Sequence, residues 1–122
     1  MPIKSKLDLS YLETMSGGDS RTMKTLLETL LKELKNNYLV PRKLYEQKDW
    51  INLDSFCHHY KSTLSFSGDR ALINANLKLW DFAKKHLKNK EVNPKDVQQQ
   101  LTTLERNGRK VATEVSRILK NI

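Results

Sequence analysis

The chain has 122 residues, enough for a single core and too few for a second. With 38% hydrophobic residues, four glycines, three prolines and a net charge of +8, it reads as one helical domain with an acidic partner, although charge alone does not choose between nucleic acid, an anionic surface and an acidic protein pocket. No apolar run reaches the roughly 18 residues of a membrane span. The opening MPIKSKLDLS lacks a signal peptide's apolar stretch and a lone cysteine excludes an internal disulfide, so the expected compartment is the cytoplasm.

In chain order, a short polar tail over about residues 1–6 is expected to be disordered. Asp8 then caps a brief helix to about residue 15, whose Leu9 and Leu12 cover one end of a bundle. Ser16, Gly17 and Gly18 break it. Asp19 caps a longer helix in which Met23, Leu26, Leu27, Leu30, Leu31 and Leu34 recur at helical spacing, with Lys24, Glu28, Lys32 and Glu33 outside. Asn36 and Asn37 loosen its end; Pro41 either kinks it or opens a new turn, and Leu44 and Tyr45 continue the apolar line to Lys48. Asp49 caps a helix over about 50–66, and Gly68 followed by Asp69 is a stop and a new cap.

The next helix spans about 70–88, with Leu72, Ile73, Leu79, Trp80, Ala83 and Leu87 on an inward stripe. Pro94 opens the last. There Val97, Leu101, Leu104, Gly108, Val111, Val115, Ile118 and Ile122 form a coiled-coil-like seam in which Gly108 leaves room for a bulky neighbour. Four long amphipathic segments with short connections predict an all-α fold, an antiparallel up-and-down four-helix bundle with a short N-terminal cap helix, forming one domain over 1–122.

The stretch DSFCHHYKSTLSFSG, residues 54–68, carries the chemistry. At about 100° per residue, Leu53, Phe56, Cys57, Tyr60, Thr63, Leu64 and Ser67 share a mostly apolar face, and His58 points away from them. Around His58 lie the small Ser55, Ser62 and Ser65, with Asp54 about one turn before and Lys61 almost one turn after. A nucleophilic imidazole on a low polar apron, with a cation beside it, suits a helix whose histidine must be reached by another protein carrying a phosphoryl group. His59, about 100° away, is expected at a partly buried boundary beside Phe66, and His86 on a solvated, lysine-rich helix end. Neighbouring His58 and His59 diverge and Cys57 faces inward, so no metal site is expected.

These residues resemble the histidine-containing phosphotransfer (HPt) family, whose pattern is a histidine, a lysine three residues on, a small residue, five more residues and a closing glycine: here His58, Lys61, Ser62 and Gly68. Asp49, nine residues before the histidine, Pro41 before that, and the leading Leu7-Asp8, Leu12 and Gly18-Asp19 fit as well, so the resemblance covers roughly residues 7–120. The chain departs from the family in having Ser62 where glycine is usual, Cys57 where alanine is usual, and Ser67 where an apolar residue often precedes the glycine.

The resemblance implies a phosphocarrier. A phosphoaspartate on a receiver domain of a response regulator or hybrid histidine kinase would pass its phosphoryl group to His58, and a second receiver aspartate would take it on. Lys61 would stabilise the phosphoryl oxygens, and Ser62 would be a small docking position able to donate a hydrogen bond. Asp54 either orients the imidazole or raises its proton affinity, or else belongs to a solvated Asp-Lys face; Ser55, Ser65 and Gly68 support the site. No cofactor is expected in this chain, Mg²⁺ belonging to the partner receiver, and without a GxxxxGK[ST] loop no autokinase activity is expected. A monomer that binds neither nucleic acid nor membrane is expected. Two alternatives stand beside this reading: a basic nucleic-acid-binding module using Lys84, Lys85, Lys88, Lys90, Lys95, Arg106, Arg109 and Lys110, and a catalytically silent adaptor of the same fold.

Overall fold

The computed structural model describes residues 7–122, so the tail expected over about 1–6 lies outside the described residues. Among these the chain is all-helical with no strand: α1 Ser10–Ser16, α2 Ser20–Asn37, α3 Val40–Glu46, α4 Trp50–Ser65, α5 Arg70–Leu87 and α6 Pro94–Lys120. No described helix is long and apolar enough to cross a membrane.

The helix starts follow their capping residues. The side chains of Asp19, Asp49 and Asp69 accept the backbone N–H groups of Thr22, Asn52 and Leu72 at 3.0, 3.3 and 3.0 Å, and Asn93 accepts that of Lys95 at 3.1 Å. Such caps satisfy otherwise orphaned donors and are each worth about 1 kcal/mol. Asp8 acts one position further out than expected. Leu9 occupies the cap of α1, and Asp8 instead accepts both the N–H and the hydroxyl of Ser10, at 3.0 and 2.6 Å. Pro41 opens a separate helix: α2 stops at Asn37, and α3 carries the proline in its first turn, where a missing N–H costs no internal bond.

Two of the helix pairings run in opposite directions. Asn76 of α5 donates to the Cys57 carbonyl of α4 at 2.9 Å, while Trp80, one turn later on α5, reaches Asp54, one turn earlier on α4. Likewise Tyr38 lies beside Gly108 and Arg109, and Arg42 reaches back to Glu105 and Gln98. The largest interfaces are α4 with α5, α5 with α6 and α6 with α2. In α6 the seam from Val97 to Ile118 is buried throughout, with Gly108 set against Tyr38. Ile122 departs from expectation at 51% exposure, because α6 ends at Lys120 and nothing carries the seam further.

The inward stripe of α5 is rotated from the expected one. Leu72, Ala75, Asn76, Leu79, Phe82 and Ala83 are buried, whereas Ile73 and Trp80 are half-buried and Leu87 is 43% exposed. The physical reason is the helix's position between α4 and α6: its core face is centred on Leu72 and Leu79, leaving Trp80 on the shoulder toward α4.

Candidate functional site

Four side chains anchor α4: Leu53, Cys57, Tyr60 and Leu64 are buried, on the 3- and 4-residue spacing that puts them on one face. His58, Ser55, Lys61 and Ser62 are consequently all exposed on the other side. The helix thus brings together the imidazole, the ammonium and two small hydroxyl side chains expected there. Ser65 is half-buried, and its hydroxyl donates to the Lys61 carbonyl at 2.9 Å, so it serves the helix and offers no free donor to the site.

Gly68 lies below the site and acts through the backbone. Its φ of 64° is the left-handed conformation of the turn between α4 and α5, and the adjoining Ser67 is fully buried. The Ser67 hydroxyl donates to the Leu64 carbonyl at 2.5 Å and accepts the Asp69 N–H at 3.1 Å. A serine in this buried place is therefore satisfied as a helix-end bridge, while Phe66 one position earlier rests against Tyr11 with ring centroids 5.5 Å apart.

Asp54 bonds across to the neighbouring helix. Its Oδ1 accepts the indole Nε1–H of Trp80 at 2.6 Å, which ties α4 to α5 and leaves this carboxylate oxygen turned to the indole and not to solvent. Trp80 in turn lies beside His58, with ring centroids 5.1 Å apart and an interplanar angle of 59°. The Lys84 Nζ sits 3.7 Å from the centre of the Trp80 ring, and Lys61 Nζ lies 6.0 Å from it. Trp80 thus belongs to the site although periodicity assigned it to the core. The short connection over 66–69 folds α5 back on α4, but the rotation that brings Trp80 to this face has no signal in the sequence.

The other two histidines also differ from expectation. His59 is exposed, and the ring that meets Phe66 is that of Tyr11. His86 is half-buried, stacked on Trp50 at 4.0 Å and 12°, and edge-on to Phe82 at 4.9 Å. Its place in this aromatic cluster with Tyr45 is a packing role that the surrounding lysines concealed.

Cys57 faces inward and is fully buried; burial, reinforced by the Asp54 charge, pushes its thiol up to about 12, so it stays protonated and unreactive at neutral pH. Among the described residues no group of three or more His, Cys, Asp or Glu side chains converges to hold a metal ion. Comparison with protein-family models, with curated proteins and with solved structures returns no match for this chain. The arrangement presents an accessible imidazole, a group able to act as a nucleophile, with one ammonium within a helical turn and small neighbours.

Proposed function

We propose that this chain is a phosphocarrier of the histidine-containing phosphotransfer type, with α2 and α3, α4, α5 and α6 as the four legs of an antiparallel bundle and α1 as its cap. The observation that carries this reading is the exposure of His58 at the middle of α4, beside exposed Lys61 and between the small, exposed Ser55 and Ser62. An imidazole that must meet an aspartyl phosphate held in another protein needs this clearance, because the partner's backbone and phosphoryl group must come within bonding distance together.

In the proposed step, an unprotonated imidazole nitrogen of His58 attacks phosphorus, an N–P bond forms, and the acyl-phosphate P–O bond breaks to return the donor's aspartate as a carboxylate. The reverse step onto a second receiver's aspartate regenerates the free imidazole. Lys61 offsets negative charge on the phosphoryl oxygens during transfer, and the net charge of +8 favours encounter with an acidic receiver cleft. The receiver supplies Mg²⁺. The compartment that suits such a relay is the cytoplasm.

The test is incubation with phosphorylated receiver domains, scoring for acid-labile, base-stable label. His58→Gln should abolish labelling and leave the helical signal intact, since the side chain lies outside the core; His59→Gln should retain it. Label that persists in His58→Gln and vanishes in His59→Gln would overturn the assignment.

A further inference from the structure

An exposed histidine on a helix ordinarily samples several rotamers, and each productive encounter then has to select one of them. His58 is different because one side of its ring is walled. The Trp80 indole stands 5.1 Å away, centroid to centroid, a separation that admits no phosphoryl group between the rings. The wall is itself held. Its Nε1–H donates to the Asp54 carboxylate at 2.6 Å, a short charge-assisted bond, and the Lys84 ammonium covers the ring at 3.7 Å. Asp54 and His58 lie one turn apart on α4, and Trp80 comes from α5 and meets both, so the α4 backbone and two side-chain contacts fix the indole against the imidazole.

We propose that Trp80, pinned by Asp54, is a positioning residue that holds the His58 imidazole in one orientation and so selects which ring nitrogen takes the phosphoryl group. The consequence for transfer rests on the phosphocarrier reading; the selection of the nitrogen does not. Orientation of this kind matters because a small misplacement of a reacting group is enough to cost a large part of its rate. The charged and titratable groups around the pair are Asp54, His59 and Lys61 from α4 and Lys84 from α5. None of the four can replace the indole as a wall: His59 meets the imidazole at 73° and 5.5 Å from its own helix, and the lysines are flexible cations.

The experiment uses potassium phosphoramidate, which phosphorylates imidazoles without a partner protein: an N–P bond forms at the ring and the P–NH₂ bond breaks to release ammonia. Phosphorus NMR distinguishes the two ring-nitrogen isomers, and the signal absent from His58→Gln belongs to His58. The parent should give one predominant isomer at His58. Trp80→Ala should give a mixture of both, and Asp54→Ala should move toward that mixture, whereas Asp54→Asn, which keeps an acceptor oxygen for the indole, should restore the parent's selectivity. Trp80→Phe keeps a ring and loses the donor; it should resemble Asp54→Ala, and adding Asp54→Ala to it should change nothing further. A parent that already gives the mixture, or a Trp80→Ala variant that folds and keeps a single isomer, overturns the proposal. With a phosphorylated receiver as donor, Trp80→Ala should lower the transfer rate at saturation about 10-fold or more with little change in half-saturating receiver concentration. Selectivity in the parent without any acceptance from receivers would sink the carrier reading and leave Trp80's positioning intact.

Discussion

Gly68 and the backbone of Asp8 are in such close approach that a Cβ built on the glycine would lie 1.8 Å from the Asp8 carbonyl oxygen. The contact seats the segment leading into α1 on the end of the helix that carries His58. Gly68 has a second reason to be glycine, its φ of 64°. Gly68→Ala should therefore lose more than the roughly 1–3 kcal/mol of backbone strain alone, since the Asp8 backbone must also move. Gly17, at φ 62° with nothing within 4 Å of its Cβ position, supplies the comparison, because alanine there meets strain and no neighbour. Urea denaturation of the two variants checks this. Equal losses would mean that the close approach to Asp8 is not what the fold feels.

Access to His58 depends on Ser62, exposed one turn further along α4. Ser62→Gly should preserve or speed phosphotransfer while costing about 0.5–1 kcal/mol of helix stability. Ser62→Arg should slow transfer severely, because a long side chain would stand where the receiver has to approach. Rates measured with one phosphorylated receiver decide between these outcomes; a bulky variant as fast as the parent would place docking on another face.

What sequence could reveal here was set by period and by caps. Helix starts were legible because Asp19, Asp49, Asp69 and Pro94 act locally, through bonds to residues three positions away or through a fixed φ. The burial of Leu53, Cys57, Tyr60 and Leu64, and with it the exposure of His58, followed from spacing along one helix. Relationships between helices were not legible. Nothing in the local pattern of α5 says that Trp80 turns toward Asp54 and His58, or that His86 stacks on Trp50, because both depend on the rotation of one helix against another. Asp54 is a case of the same kind: within α4 its neighbours are His58 and Lys61, whereas its hydrogen-bond partner Trp80 comes from α5. Gly68 was legible as a helix stop, but its contact with Asp8 joins residues far apart in the chain.

Alkaline pH should weaken the fold, and Cys57 should account for part of the slope. Burial, with a contribution from the Asp54 charge, lifts its thiol from 9.0 to about 12, and burial first, then Glu33, raises the Tyr60 hydroxyl as well. A group whose folded value is raised lends stability that is complete below its unfolded value. Between the two values the unfolded chain has already released the proton that the folded chain keeps, so stability falls as pH rises. Urea midpoints measured from about pH 8 to about pH 11 should decline, and less steeply in Cys57→Ala than in the parent. An unchanged slope in that variant would remove the thiol as a cause. At neutral pH the same burial predicts slow alkylation by iodoacetamide until the protein is unfolded.

Lys61 separates the carrier from a nucleic-acid binder. It is exposed three residues after His58 and outside the core, so Lys61→Ala should slow phosphotransfer with little effect on the fold. A roughly 10-fold loss is expected, below the 100- to 1,000-fold attached to a preorganised donor in a water-excluded site. Lys88 and Lys90 lie at and beyond the end of α5, and their joint replacement should change transfer much less. For nucleic acid the order reverses, because each lysine that neutralises a phosphate releases counterions and steepens the fall of affinity with salt. Several cations of that alternative surface already have partners: Lys85 pairs with Asp81 at 3.0 Å, Lys84 covers Trp80, and Arg109 lies over Tyr38. The chain should accordingly bind DNA or RNA no more tightly than other proteins of its charge. Transfer measured in the two variants, beside binding titrations at low and high salt, gives the decision. Tight, sequence-selective binding abolished by changing Lys88 and Lys90, in a protein whose His58 takes phosphate from no receiver offered, would replace the carrier with the binder.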